Sequence, residues 1–296
     1  MQKNIAIIHY NTPKLTECLV KSINKFVDGA SIYILDNSDK NPFTSKFDNV
    51  TIIDNTKGQI VNFDKWVKRY PNRRRSHGKV NGFGSAKHAY SVEKCMEIIG
   101  KPFVLMDSDI LLKRDISNLF MDDCVYVGQE ITQPMSTINR LLPFVLFINT
   151  DKCKEKNIHF FDDERMHGLY KTAAGDRYDT GASFWLDAHD YKHKDIDCMD
   201  YCVHYGHGSW VNTSKKKRKA QPAGEWLNEH WSLWTDKKPE KPKQEPPTKK
   251  LYKKPVREKK IVAEKKKIAS EKKLTSQKAP LPRKNNNLIT YNFYQW

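Results

Sequence analysis

The chain has 296 residues, with 52 Lys and Arg against 35 Asp and Glu and a formal net charge of +17. Residues 236–285 alone carry 19 Lys and Arg against 6 Asp and Glu, so the basicity belongs mostly to a C-terminal tail. The rest is close to neutral once Lys215-Lys216-Lys217-Arg218-Lys219 is set aside, which argues against a nucleic-acid-binding fold, and six scattered cysteines in a chain of this length argue against a disulfide scaffold. The start of the chain has no apolar run that reads as a signal peptide, and no stretch of about 18 apolar residues follows. The expectation is a reduced, cytosolic protein.

In chain order, Ile5-Ala6-Ile7-Ile8 reads as a buried first strand that ends in the turn His9-Tyr10-Asn11-Thr12-Pro13. Leu15, Leu19, Val20, Ile23 and Phe26 recur at helical spacing. Ile32-Tyr33-Ile34-Leu35 and Val50-Thr51-Ile52-Ile53 are further apolar runs, followed by Asp36-Asn37-Ser38 and Asp54-Asn55. Strand, helix, strand and strand, each ending in polar groups, predict an α/β fold with a mostly parallel sheet. Residues 71–84, with Pro71, Arg73-Arg74-Arg75 and three glycines, read as an exposed loop. A helix follows to Gly100, with Ser85 as N-cap and Ala89, Val92, Met96 and Ile99 as its apolar stripe. Gly82-Phe83-Gly84 ahead of it is either a plain turn or a cradle for a diphosphate.

Phe103-Val104-Leu105-Met106 then drives into Asp107-Ser108-Asp109. If it is a buried strand, both carboxylates emerge at its carboxyl end, where open α/β sheets place their ligands, and residues two apart point the same way. Two hard oxygen donors there suit Mg²⁺ or Mn²⁺. A second such pair, Asp195-Ile196-Asp197, lies in a polar stretch without a strand before it and reads as a chance occurrence.

Further on, Cys124–Val127 and Phe144–Ile148 read as strands, and residues 157–178 as an aromatic, charged loop region suited to face a substrate. Arg140 is either a phosphate or acceptor contact or a surface ion pair. Cys198 and Cys202 lack zinc-knuckle spacing and read as ordinary thiols. Cys202-Val203-His204-Tyr205-Gly206-His207-Gly208 sets two histidines among glycines, which leaves room for a ligand.

These motifs, in this order over about residues 4–210, resemble nucleotide-sugar-dependent glycosyltransferases of the GT-A fold, and among them the family 2-like enzymes of bacterial surface-polysaccharide synthesis. The resemblance implies that His9, Tyr10, Asn11 and Asp36 hold the nucleoside and that Lys87 meets the diphosphate. It implies that Asp107 and Asp109 hold Mn²⁺ or Mg²⁺, with Asp107 also at the nucleotide-sugar and with His204 or His207 as a further metal ligand. It makes Asp179, and after it Asp176, the candidate base on the acceptor side. The family's Glu-Asp pair is absent there, and Asp179 can equally be a local cap. The activity implied is transfer of a sugar from a nucleoside diphosphate donor, UDP-linked by expectation, to a glycan or lipid-linked acceptor, with inversion.

The expected domain is residues 1–235. Residues 236–296 are Lys-, Glu- and Pro-rich with few apolar residues, and are expected to be a disordered tail. Such a tail is either plain solvated chain or an attachment to an anionic membrane surface, at the inner face; RNA attracts the same charge. The alternatives to a glycosyltransferase are a nucleotidyltransferase, which also uses two carboxylates and a metal, and a non-catalytic protein that binds polyanions through its tail.

Overall fold

The structure is a computed structural model that describes residues 2–62, 83–132, 138–163, 165, 179–206 and 221–238. All of these lie in the first of the chain's two units, Met1–Glu240. Asp176, His207, the run Lys215 to Lys219 and the tail beyond Lys238 lie outside the described residues.

The elements in chain order are β1 (Asn4–His9), α1 (Pro13–Phe26), β2 (Ser31–Asp36), β3 (Val50–Asp54), α2 (Phe83–Ile99), β4 (Phe103–Asp107) and β5 (Ile110–Leu112). Then come β6 (Tyr126–Gly128), β7 (Glu130–Thr132), β8 (Asn139–Leu141), β9 (Leu146–Ile148) and α3 (Thr150–Lys156). The last are α4 (Ala182–Ala188), β10 (Lys194–Asp195), β11 (Cys202–His204) and α5 (Ala223–Glu229).

All six residues of β1 are buried, as its unbroken apolar run requires of a strand covered on both faces. It lies between β2 and β4, parallel to both. The main sheet has the order β10-β6-β9-β4-β1-β2-β3 among the described residues. It is parallel from β3 to β4, while β9 runs antiparallel to β4 and β6. The expected α/β, mostly parallel fold is therefore the one observed.

Alternate residues feed two cores. Ile5, Ile7, Ile34, Val104 and Met106 pack with Leu19 and Ile23 of α1 on one face. Ala6, Ile8, Leu35, Phe103 and Leu105 pack with Ala89, Val92 and Met96 of α2 on the other. Beyond the main sheet, β11 pairs antiparallel with β5 and β7 with β8. The expected strands at 124–127 and 144–148 are observed as the shorter β6 and β9, with β6 running one residue further, to Gly128; ahead of β6, Val125 N–H donates to Lys192 O at 2.8 Å. The sequence gives no sign of α5, whose Trp226 and Leu227 pack with Leu15 and Cys18 of α1. Lys25 Nζ holds Asp236 Oδ1 at 2.7 Å just beyond it. No described helix is long and apolar enough to cross a membrane.

Candidate functional site

The carboxyl ends of the parallel strands form one polar edge. In register, His9 of β1 stands beside Asp36 of β2, Asp36 beside Asp54 of β3, and Ile8 beside Asp107 of β4. Phe103–Met106 are fully buried, and Asp107 is the first residue of that strand to reach solvent. The chain turns through Ser108 and Asp109 into β5. Pairing of β11 with β5 sets His204 opposite Ile110, and His204 Nε2 lies 3.4 Å from Asp109 Oδ1. Tyr205 N–H donates to the Asp109 carbonyl at 2.9 Å, and the Phe144 ring lies 4.0 Å from the His204 ring, centroid to centroid. Burial pulls the His204 imidazole towards its neutral form. The hydrogen bond to Asp109 and the charges of Asp109 and Asp107 outweigh that pull, so its pKa stands above the ordinary value.

The first turns of α2 meet three parts of this edge. Ser85, expected as an N-cap, instead lies inside the helix, which begins at Phe83, and its hydroxyl donates to Asp179 Oδ1. Lys87 Nζ stands 5.0 Å above the Tyr10 ring; burial lowers the Lys87 pKa, against the pull of Asp39. His88 Nε2 lies 2.9 Å from Asp107 Oδ1. Both ring nitrogens are buried without a hydrogen-bond partner among the described residues. Sequence reading passed over His88, although it stands three residues after Ser85 on the same helix face.

Asp179 is anchored on several sides. Its Oδ2 lies 3.2 Å from Arg140 Nη1, which makes Arg140 an ion-pair partner, and its Oδ1 also accepts from Thr180 N at 2.8 Å. Gly181 has φ of +82°, and a Cβ there would stand 2.3 Å from the Leu141 carbonyl oxygen. The bend that delivers Asp179 therefore requires glycine.

Several expected contacts turn inward. His9 is wholly buried, with Nδ1 2.7 Å from Thr16 Oγ1 and Nε2 3.4 Å from Asn41 O, so both its ring nitrogens are engaged within the protein. Asp36 is likewise buried; its oxygens accept from Ser38 N at 2.9 Å and Phe43 N at 2.6 Å and so fix the loop after β2. Asn11 has φ of +55° and accepts from Lys40 N and Asn41 N, clamping that loop to the one after β1. Tyr10 is the member of the expected nucleoside group that remains exposed, at 37%. Behind this edge, Asn37 donates to Ser91 at 3.0 Å and Asn55 to Asn37 at 2.6 Å, a buried amide network that ties α2 to the strand ends.

The second acidic pair, Asp195 and Asp197, makes backbone contacts. Asp195 accepts from Glu130 N and Asp197 from Met199 N. All six cysteines are buried and unbridged; Cys198 Sγ donates to Val145 O and Cys202 Sγ to Cys198 O.

For a divalent cation the donor chemistry fits: two carboxylates on one turn, each with an imidazole beside it, and in His88 a ring whose nitrogens have no hydrogen-bond partner among the described residues. Among the described residues, no three of His, Cys, Asp and Glu converge closely enough to enclose an ion as they stand.

No protein-family model matches the chain, and no curated protein matches it in sequence. Solved structures do match. GlyE from Streptococcus pneumoniae TIGR4 is 11% identical with a TM-score of 0.38, over 67% of this chain and 45% of its own. Mouse xyloside xylosyltransferase 1 is 11% identical with a TM-score of 0.43, over 66% and 85%. LgtC, solved with donor and acceptor sugar analogues, is 14% identical with a TM-score of 0.39, over 66% and 73%. All three are glycosyltransferases. This chain spans less than half the length of GlyE. The likeness is one of fold, and at these identities and scores no activity is carried over from it.

Proposed function

We propose that the chain is a glycosyltransferase that moves a sugar from a nucleoside diphosphate donor, UDP-linked in our reading, to a glycan or lipid-linked acceptor. The observation that carries this reading is the contact of His204 with Asp109, 3.4 Å, at the carboxyl end of β4. A second strand brings an imidazole to an acidic turn on the ligand-binding edge of an α/β sheet, which a surface loop of chance composition would not do. Asp107, Asp109 and His204 would hold Mn²⁺ or Mg²⁺. When bound, such a cation neutralises the charge that builds on the departing diphosphate.

The chain's own groups divide the remaining work. Tyr10, exposed at the end of β1, offers a ring face to the nucleoside. Lys87 beside it supplies positive charge to the diphosphate. Asp179 would take the proton from the acceptor hydroxyl in an inverting displacement, and Arg140 and Ser85 would hold its carboxylate in place. The net charge of +13 over residues 236–285 supports attachment of the tail to an anionic membrane surface, beside a lipid-linked acceptor.

The test is release of free nucleoside diphosphate from UDP-, GDP- and dTDP-sugars with Mn²⁺ and with chelator. Metal-dependent release from one donor supports the reading and names the nucleotide. Silence across the panel, with folded protein and Mn²⁺ present, overturns it.

A further inference from the structure

We infer that His88 is a further ligand of the divalent cation, on the Asp107 side, so that the centre presents one imidazole to each carboxylate and favours Mn²⁺ over Mg²⁺. This rests on the metal-dependent reading above. His88 Nε2 is already 2.9 Å from Asp107 Oδ1, yet both ring nitrogens are buried and without a hydrogen-bond partner among the described residues. Native proteins leave few buried polar atoms in that condition, and such an atom beside a carboxylate invites an ion or ligand as the missing partner.

The backbone that carries His88 is fixed from both sides. Three residues before it, Ser85 is bonded to Asp179; three residues after it, Ser91 accepts from Asn37 at the end of β2 and donates to Lys87 O at 2.8 Å. The ring is therefore delivered to Asp107 by a helix anchored to the same edge. From the other side β11 delivers His204 to Asp109. The two pairs share the turn Asp107-Ser108-Asp109, and a cation held there would have an imidazole available beside each carboxylate. Each nitrogen donor shifts preference away from Mg²⁺, which seeks oxygen, and towards first-row transition ions.

The test uses the full chain with Mn²⁺, alone and with UDP. Free Mn²⁺ is followed by electron paramagnetic resonance, and imidazole ligation by ¹⁴N modulation of the spin echo. His88→Gln is expected to weaken Mn²⁺ binding by roughly tenfold or more and to reduce the ¹⁴N modulation, while Mg²⁺ affinity changes little, so that Mg²⁺ competes with Mn²⁺ more effectively than in the parent chain. His88→Asn gives a second variant of similar polarity should the first lose its thermal unfolding transition. Unchanged Mn²⁺ affinity and modulation in a folded variant overturn the assignment of His88 and leave the wider reading standing. Failure of the unsubstituted chain to bind Mn²⁺, alone or with UDP, overturns the metal centre itself and His88 with it.

Discussion

His204 reaches Asp109, Nε2 to Oδ1 at 3.4 Å, because β11 lies antiparallel on β5. The Tyr205 amide then locks the same turn by donating to the Asp109 carbonyl at 2.9 Å. The acidic turn is thus held through its backbone and met by an imidazole through its side chain.

Asp109→Asn keeps the shape of this turn and removes an anionic donor. Metal-dependent release of nucleoside diphosphate is expected to fall by about 100-fold or more, while the thermal midpoint stays near that of the parent chain. Release and unfolding are measured on one preparation. Near-normal Mn²⁺-dependent release would take Asp109 out of the site.

Asp179→Asn is expected to abolish transfer to an acceptor while retaining Mn²⁺-dependent binding of the donor. The amide can still accept from Ser85 and Thr180 but has lost the charge that pairs with Arg140. Donor affinity by calorimetry and transfer by product analysis separate the two effects. Unchanged transfer would move the base elsewhere.

Gly181→Ala would place a methyl group 2.3 Å from the Leu141 carbonyl oxygen at a backbone φ of +82°. Loss of stability by about 2 kcal/mol or more is expected, from clash and left-handed strain together. Urea unfolding measures it. A cost of a few tenths would mean that the bend ahead of α4 packs more loosely against Leu141 of β8 than this close approach indicates.

Burial pushes the thiols of Cys18 and Cys198 up to about 11 and those of Cys95 and Cys153 up to about 12; Cys202 is raised as well, also by burial. Since the thiolate is the reactive form, a thiol-specific disulfide reagent at mildly alkaline pH should react slowly with the folded protein. In denaturant all six cysteines should react at once. Prompt reaction of Cys198 and Cys202 in the folded state would count against their place in the core.

The strands at Ile5–Ile8, Ile32–Leu35, Val50–Ile53 and Phe103–Met106 are legible in the sequence, because central strands of a covered parallel sheet read as unbroken apolar runs. The place of Asp107 and Asp109 follows from the same fact: the run stops where the sheet ends, and the next residues must face solvent. What the sequence determines by itself is this edge and its chemistry. Tertiary structure alone decides which polar groups on the edge face outward. His9 and Asp36 stand in the same local pattern as Tyr10 and Asp107, yet His9 is drawn in by Thr16 and Asp36 by the amides of Ser38 and Phe43, partners that no local period announces. His88 and His204 reach the acidic turn only through the packing of α2 on the sheet and the register of β11 on β5. Such contacts join residues far apart in the chain, and their geometry is set by the whole core rather than by any segment of it.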